Sequence, residues 1–553
     1  MVVVVKKGKK NSKERKDKLH NKRKLQAQEK LEKMEAIDKE KIEKSRKRFI
    51  IFFLIWICIF ALGMARKVLQ NDTFYTIKIG ELILNNGIDM MDHFSFHENL
   101  AYTYPHWLYD VFIFLCYKIG GFVGIHISSV VLFLLLLGII FKVNRLVTKN
   151  HLTVSAFATI ICALAISGFV AARAQLVSFL IFALEVYFIE IFLQNKKKRY
   201  LVGLLILSTL ICNIHLAVWP FYFVVYLPYL AEYIISFIAS KIKLKKGNKF
   251  INFLKKKFVL EKNSNIKYIF LVMLLSIATG LLTPLGDTPY TYTINMMMSN
   301  AQEYVLEHQM IDWKNSPFTI IIAFETIFLS LFSRVKLRDF FMICGLVLMS
   351  ILSMRHISLL ALIGTICFAR LFSMFLENFQ FNVDNKIISF FNKKVVYFCS
   401  FGFVFVVACL MLNYNLSKDF IDKKMYPVGA VKYIKENINI DEMRIFNGYN
   451  FGSYLLLNDI PVFIDSRADL YTSPYSGLDY DIFDDYHYII SNYQEKFEFY
   501  GITHVLLDKE MLDKVNPLYN ILKTDINYRV MYEDDYFVLY EKLENSGLVI
   551  TYK

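Results

Sequence analysis

The side chains able to do chemistry here are few, and they stand where long apolar stretches begin or end. Asp72 lies a few residues past the first such stretch, in Asn71-Asp72-Thr73-Phe74-Tyr75. An aspartate ionises near pH 3.9 in water, so at neutral pH it can take a proton or a hydrogen bond from an attacking hydroxyl. Its plainer use is as a loop acid or as the cap of a helix over Thr73–Asn86. The run Gly87-Ile88-Asp89-Met90-Met91-Asp92-His93-Phe94-Ser95-Phe96 follows. Asp89 and Asp92 with His93 form a thin ligand set for a divalent cation. Asx turns account for the same residues.

His106, in Tyr104-Pro105-His106-Trp107, can bind phosphate, orient an acceptor, or sit in an aromatic belt. Arg173, Arg355 and His356 supply positive charge at the ends of apolar stretches, which suits a lipid-phosphate head. Separate snorkelling of each to the interface is the alternative. His215 closes Cys212-Asn213-Ile214-His215, where a satisfied buried polar pair competes with a binding role. Glu307, His308, Asp312 and Trp313 share a later loop. Asp465 and Arg467 follow a β-rich run and read as an ion pair within one domain or as a docking contact. No Walker loop, dinucleotide fingerprint or Ser/His/Asp arrangement has convincing spacing. The eight cysteines all fall in apolar stretches without CxxC or Cys/His spacing, so neither a disulfide framework nor a zinc site is implied.

The elements holding these residues follow from hydropathy. With 553 residues, 50 of them Phe, and a mean hydropathy of +0.38, the chain is too apolar for a soluble protein of this size. About eleven spans are expected, at 49–65, 121–143, 152–171, 174–194, 199–217, 219–240, 268–284, 317–334, 339–354, 357–376 and 395–412. Residues 107–119 are apolar but short, contain Asp110 and end at Gly120-Gly121. They read as a helix lying at the interface. The expected division is a basic leader over 1–48, helical or disordered; a membrane domain over 49–412 with a loop at 66–120; and an α/β domain over 413–553. In that last domain, helical patterns (Pro427–Ile438, Asp485–Phe499, Met511–Leu522) alternate with β-rich runs (Met443–Phe446, Val462–Ile464, His504–Leu507). A hairpin is expected over Tyr528–Tyr540.

Charge sets the expected orientation. Residues 1–48 carry 19 Lys/Arg against 8 Asp/Glu, whereas residues 413–553 carry 14 against 23. If the N-terminus is cytoplasmic, the lysine-rich loops all fall inside, as the positive-inside rule requires. An odd number of spans then puts 413–553 outside a plasma membrane. The leader mixes Lys with Glu and lacks aromatics, which favours a solvated helix or contact with anionic lipid over nucleic acid. Its length ahead of Phe49–Ala65 favours a retained anchor over a cleaved signal.

Taken in order, these motifs resemble a family. An acid just after the first span, an amphipathic helix over Ile77–Asn86, the Gly87–Ser95 turn, and His106-Trp107-Leu108 before an interfacial helix are similar to polytopic transferases of the GT-C superfamily. That superfamily includes oligosaccharyltransferases, protein mannosyltransferases and lipid A aminoarabinose transferases. Ala172-Arg173-Ala174-Gln175-Leu176, Asn213-Ile214-His215, Thr283-Pro284-Leu285-Gly286, Arg355-His356 and Phe463-Ile464-Asp465-Ser466-Arg467 extend the resemblance over about residues 49–540. It implies a GT-C-like membrane fold and a catalytic carboxylate at Asp72. It implies transfer of a sugar from a polyprenyl-phosphate donor to an extracytoplasmic polymer, lipid or protein, with membrane lipids as surroundings. Asp92, His106, Arg173, His215, Arg355 and His356 are the expected substrate contacts, and some members of the superfamily use a divalent cation. Two other classes remain: a transporter or flippase of lipid-linked sugars, and a non-catalytic envelope assembly factor. The first needs charge at mid-span, whereas the polar residues read here mainly as rim groups.

Overall fold

The computed structural model describes residues 38–241, 256–259, 261, 263–299, 317–381, 383–391, 393–509 and 517–543. Most of the leader, the loop with Glu307, His308, Asp312 and Trp313, and the first half of the helix expected at Met511–Leu522 lie outside the described residues.

All eleven apolar stretches are helical. We name the helices used below α1 (Asp38–Met64), α2 (Asn71–Asn86), α3 (Trp107–Val147), α4 (Leu152–Ile166), α5 (Ala174–Asn195), α6 (Arg199–Ile214), α7 (Trp219–Val224), α8 (Leu227–Lys241), α9 (Ile266–Ala278), α10 (Thr288–Met298), α11 (Pro317–Phe332), α12 (Leu337–Leu352), α13 (Ile357–Asn378), α14 (Val383–Phe390) and α15 (Lys394–Leu416). Among the described residues, seven helices are long and apolar enough to cross a membrane. The helices α6, α9, α11 and α12 are shorter, with sixteen residues at most; sixteen residues rise about 24 Å, less than a hydrocarbon core of about 30 Å. This is a polytopic α-helical membrane protein. On α15, Phe398, Phe403, Phe405 and Leu410 face outward, as lipid contact requires.

α3 is broken where the sequence has Gly120-Gly121. Gly121 takes φ +57°, which an L side chain rarely adopts, so Trp107–Ile119 and the following span are separate helical segments. The first segment packs on α2. A Cβ at Gly80 would sit 2.1 Å from the Asp110 carbonyl oxygen, so only glycine lets these helices touch. That contact fixes α2, and with it Asp72, against the start of α3.

The C-terminal region holds a four-stranded sheet. Ile445–Asn447 pairs in parallel with His504–Asp508, which pairs antiparallel with Phe537–Lys542, which pairs antiparallel with Tyr528–Glu533. The expected hairpin is present, closed by the Asp534 N–H on the Phe537 carbonyl at 3.0 Å. Two expectations fail. Val462–Ile464 is not a strand of the sheet; Val462 forms isolated bridges to Ile445 and to Ser95, so its backbone serves the loop after α1. Asp485–Phe499 is not one helix but two, Ile482–His487 and Ile489–Phe499.

That loop is bound tightly to the C-terminal region. The Phe96 N–H donates to the Val462 carbonyl at 3.2 Å, and the Val462 N–H donates back to Phe94 at 3.3 Å. His97 lies 2.8 Å from the Phe463 carbonyl, and burial pushes its imidazole down to about pH 4. Lys78 pairs with Asp459 at 2.8 Å. The Tyr426 hydroxyl donates to the Leu69 carbonyl at 3.0 Å.

The far end of the bundle holds buried charges as well. Glu190 lies sixteen residues along α5 from Ala174, about 24 Å. There it meets Arg370 at 2.6 Å and Arg338 at 3.2 Å. Arg338 also pairs with Glu232 (3.2 Å) and Glu261 (3.1 Å), and Arg370 also pairs with Asp339. Glu190, Glu232 and Arg370 are isolated charges in apolar stretches, whereas Arg338, Asp339 and Glu261 lie among other charges at the ends of such stretches. Glu185, also buried, adds a carboxylate inside the bundle.

Candidate functional site

A cavity of about 720 Å³ opens between the helix ends, the loop after α1 and the C-terminal region. Its walls include Asp72, His106, Arg173, His215 and Arg355, together with Arg467 and Asp469.

Local structure explains each position. Gln70, not Asp72, is the N-cap of α2, and Asp72 falls in the first turn, where the helix dipole favours a carboxylate. The Thr73 hydroxyl donates to the Ala172 carbonyl at 3.2 Å, tying this turn to the segment entering α5. Arg173 is the N-cap of α5 in extended conformation, and its guanidinium pairs directly with the Asp72 carboxylate. The pair is half-buried, with side chains 22% (Asp72) and 31% (Arg173) exposed.

The histidines meet because α3 and α6 are pinned end to end. Trp107 Nε1–H donates to Asn213 Oδ1 at 2.9 Å, and the Leu216 N–H donates to the Pro105 carbonyl at 2.9 Å. His106 and His215 then lie with ring centroids 4.9 Å apart. Asn213 is thus not the partner of His215; Ser178 Oγ, 2.8 Å from His215 Nδ1, is. Burial, then the charges of Arg355 and Arg173, pushes His106 down to about pH 3. It is therefore a neutral imidazole at physiological pH.

Arg355 sits in a short 3-10 turn between α12 and α13. Among the described residues its side chain has no hydrogen-bond or ion-pair partner, although it is partly buried. His356, its neighbour, faces elsewhere. Its ring packs 4.8 Å from that of Phe221 and its Nδ1 lies 3.1 Å from the Met349 carbonyl, off the cavity wall.

Asp92 also stands behind the wall. It accepts from the Ser95 N–H at 2.9 Å and the Ser95 hydroxyl at 2.6 Å, an Asx turn, and pairs with Arg467 at 2.6 Å. Burial raises its pKa, but Arg467 and the Ser95 hydrogen bonds outweigh that and hold the carboxyl below its usual range. Arg467 pairs too with Asp465 at 2.6 Å, and the Tyr471 hydroxyl donates to Asp465 at 2.7 Å. The Asp465–Arg467 pair is both intradomain and a dock for the loop. Asp89 accepts from the Met91 N–H at 3.1 Å and lies 2.6 Å from His93. With Arg467 on Asp92, a cation bridging Asp89 and Asp92 would meet a guanidinium. Among the described residues no three His, Cys, Asp or Glu side chains converge as a metal site.

Apart from Arg467, no sequence pattern marks the wall supplied by the C-terminal region. Lys424, Tyr449, Asp469 and His487 line the cavity, as does Tyr292 of α10. The Tyr292 hydroxyl donates to Asp469 Oδ2.

No protein-family model and no curated protein matches the chain. Solved structures do. The archaeal oligosaccharyltransferase AglB from Archaeoglobus fulgidus, in complex with an inhibitory peptide and a dolichol-phosphate, is similar at TM-score 0.53 and 11% identity over 84% of this chain and 70% of that one. The Archaeoglobus fulgidus oligosaccharyltransferase tethered to an acceptor peptide is similar at TM-score 0.54 and 11% identity, over 90% and 74%. ArnT from Cupriavidus metallidurans bound to undecaprenyl phosphate lies at TM-score 0.48, too distant to bear on this chain. The fold is that of these two oligosaccharyltransferase structures.

Proposed function

We propose that this GT-C-fold chain is a membrane glycosyltransferase. It moves a sugar from a polyprenyl-phosphate donor to an acceptor at the extracytoplasmic face, such as an envelope polymer, lipid or protein. The observation that carries this is Arg355: a guanidinium with no partner among the described residues, in a cavity that also holds the Asp72–Arg173 pair. An unpaired, partly buried cation invites an anion, and a guanidinium matches phosphate oxygens in two places at once. The AglB structure holds a dolichol-phosphate and an inhibitory peptide, and the second oligosaccharyltransferase structure holds an acceptor peptide, so a lipid phosphate and an acceptor both occur on this fold.

In this reading Arg355 and Arg173 take the phosphate. The departing oxygen gains charge as the sugar bond breaks, so fixed cations lower the barrier more than they stabilise the bound donor. Neutral His106 and His215 add polar atoms without cancelling the arginines. Asp72 serves as base or orients the acceptor hydroxyl. The positive-inside pattern supports an extracytoplasmic cavity.

The test is transfer by Asp72→Asn in membranes. Normal insertion with sugar transfer down by about 10²–10⁴-fold is expected; full activity removes Asp72 from the mechanism. A flippase would build on the charges at the far end of the bundle. They enclose only about 10 Å³, too little for a sugar, and each arginine there already has its carboxylates.

A further inference from the structure

Besides Asp72 the cavity wall carries Asp469 and Asp508, and the setting of Asp469 differs from that of Asp72. Asp469 lies on the C-terminal wall, in Ser466-Arg467-Ala468-Asp469. The Tyr292 hydroxyl donates to its Oδ2. Tyr292 is itself anchored: its carbonyl accepts from the Tyr475 hydroxyl at 2.8 Å, and the two rings pack with centroids 5.1 Å apart. The carboxylate is thus held at a fixed place on the wall.

Asp72 is committed to Arg173, and Asp92 and Asp465 to Arg467. Among the described residues Asp469 makes no ion pair. Arg355 acts on it through charge alone. A carboxylate tied to a guanidinium is a poor proton acceptor, because protonation must break the pair. One held by a neutral hydroxyl keeps its basicity.

We propose that Asp469 is a second catalytic carboxylate, the group that accepts the proton of the attacking acceptor hydroxyl, while Asp72 orients the substrate through its pair with Arg173. The inference rests on the transferase reading and divides its roles. The acceptor oxygen forms a bond to the sugar carbon, and the bond from that carbon to the phosphate oxygen breaks. The electron pair leaves with the phosphate, facing Arg355 and Arg173. The hydroxyl proton passes to Asp469 and then to water. Burial raises the proton affinity of Asp469, and the Tyr292 hydrogen bond and then Arg355 partly oppose this. The groups facing it are Tyr292, Arg355 and Tyr475; nearby Arg467 is engaged by Asp92 and Asp465. A base of raised affinity is better matched to a hydroxyl than an ordinary carboxylate.

The experiment uses the full chain in lipid nanodiscs. The probes are a panel of undecaprenyl-phosphate-linked radiolabelled hexoses, with membranes of the producing cells as acceptor, and undecaprenyl phosphate itself for binding. In Asp469→Asn, kcat falls by about 10²–10⁴-fold and the acid limb of its pH profile disappears. Affinity for undecaprenyl phosphate stays near wild type. In Tyr292→Phe the limb moves to higher pH, because the hydrogen bond that stabilises the ionised carboxylate is gone, and kcat falls less. A latch between α10 and the C-terminal region would move stability but not the limb. Near wild-type kcat in Asp469→Asn with an unchanged limb overturns the proposal and leaves the transferase reading standing. If Asp469→Asn loses phosphate binding as well, Tyr292→Phe decides, and an unmoved limb overturns the proposal. If the wild-type protein transfers none of the panel, the transferase reading fails, and this inference with it.

Discussion

The two ends of the helical bundle use the same chemistry to opposite ends. Each pairs arginine with carboxylate. At the far end, Arg338 and Arg370 are met by Glu190, Glu232, Glu261 and Asp339, and the space left among them is about 10 Å³. The Arg338 and Glu190 side chains are 6% and 3% exposed there. At the cavity end the Asp72–Arg173 pair is several-fold more exposed, Arg355 has no partner among the described residues, and about 720 Å³ lies open. A cluster in which each arginine has its carboxylates and no room remains for a ligand holds helices together. An unsaturated one still holds its electrostatic free energy for whatever binds. Charge within a membrane protein therefore marks a site only where its partners run out.

The sharpest way to break that contrast is to unbalance the saturated end. Arg370→Met leaves Glu190 and Asp339 short of a cation, and the loss should be on the order of 3–5 kcal/mol in stability. Thermal unfolding in detergent measures it; a neutral result would mean that the cluster is not structural. At the unsaturated end the ranking should invert. Arg355→Ala is expected to leave the unfolding midpoint alone and to weaken undecaprenyl phosphate binding by about 10–100-fold, the worth of a charge-assisted hydrogen bond of about 1.5–3 kcal/mol. Unchanged binding would detach Arg355 from phosphate.

A smaller effect sharpens the comparison through pH. The folded-state pKa of Asp92 is depressed, so its stabilising contribution is complete above the unfolded carboxylate value of about 3.9 and is lost as pH falls through the lower folded value. Acid titration of stability should therefore flatten below pH 4 in Asp92→Asn relative to wild type. Equal acid slopes would show that the pair does not dock the loop. The smallest change expected is Lys149→Ala. Its pair with Glu377 is mostly exposed, at 76% and 44%, and such pairs contribute about 0–1 kcal/mol.

Much of the cavity was legible because its residues sit at helix ends. Hydropathy finds ends to within a few residues, and a charge there has few places to go. Asp72, Arg173 and Arg355 each follow or precede an apolar run, and all three line one cavity. What hydropathy cannot give is direction. Arg355 and His356 are adjacent, yet a single 3-10 turn sends one to the cavity and the other to Phe221. Asp92 was legible as polar and as an Asx turn, but not as the partner of a residue 375 positions away. Asp469 and Tyr292 carried no signal at all, since one loop acid and one tyrosine on a short helix look like many others.

The sequence by itself determined the membrane class and the helices, because burying backbone in lipid admits only long apolar runs whose hydrogen bonds are internal. It also determined the break at Gly120-Gly121 and the hairpin at Glu533-Asp534-Asp535, where local backbone preference decides. Only the tertiary structure decided which charges are saturated. That depends on helices far apart in sequence meeting at one depth, and no local pattern encodes the depth at which a partner will arrive.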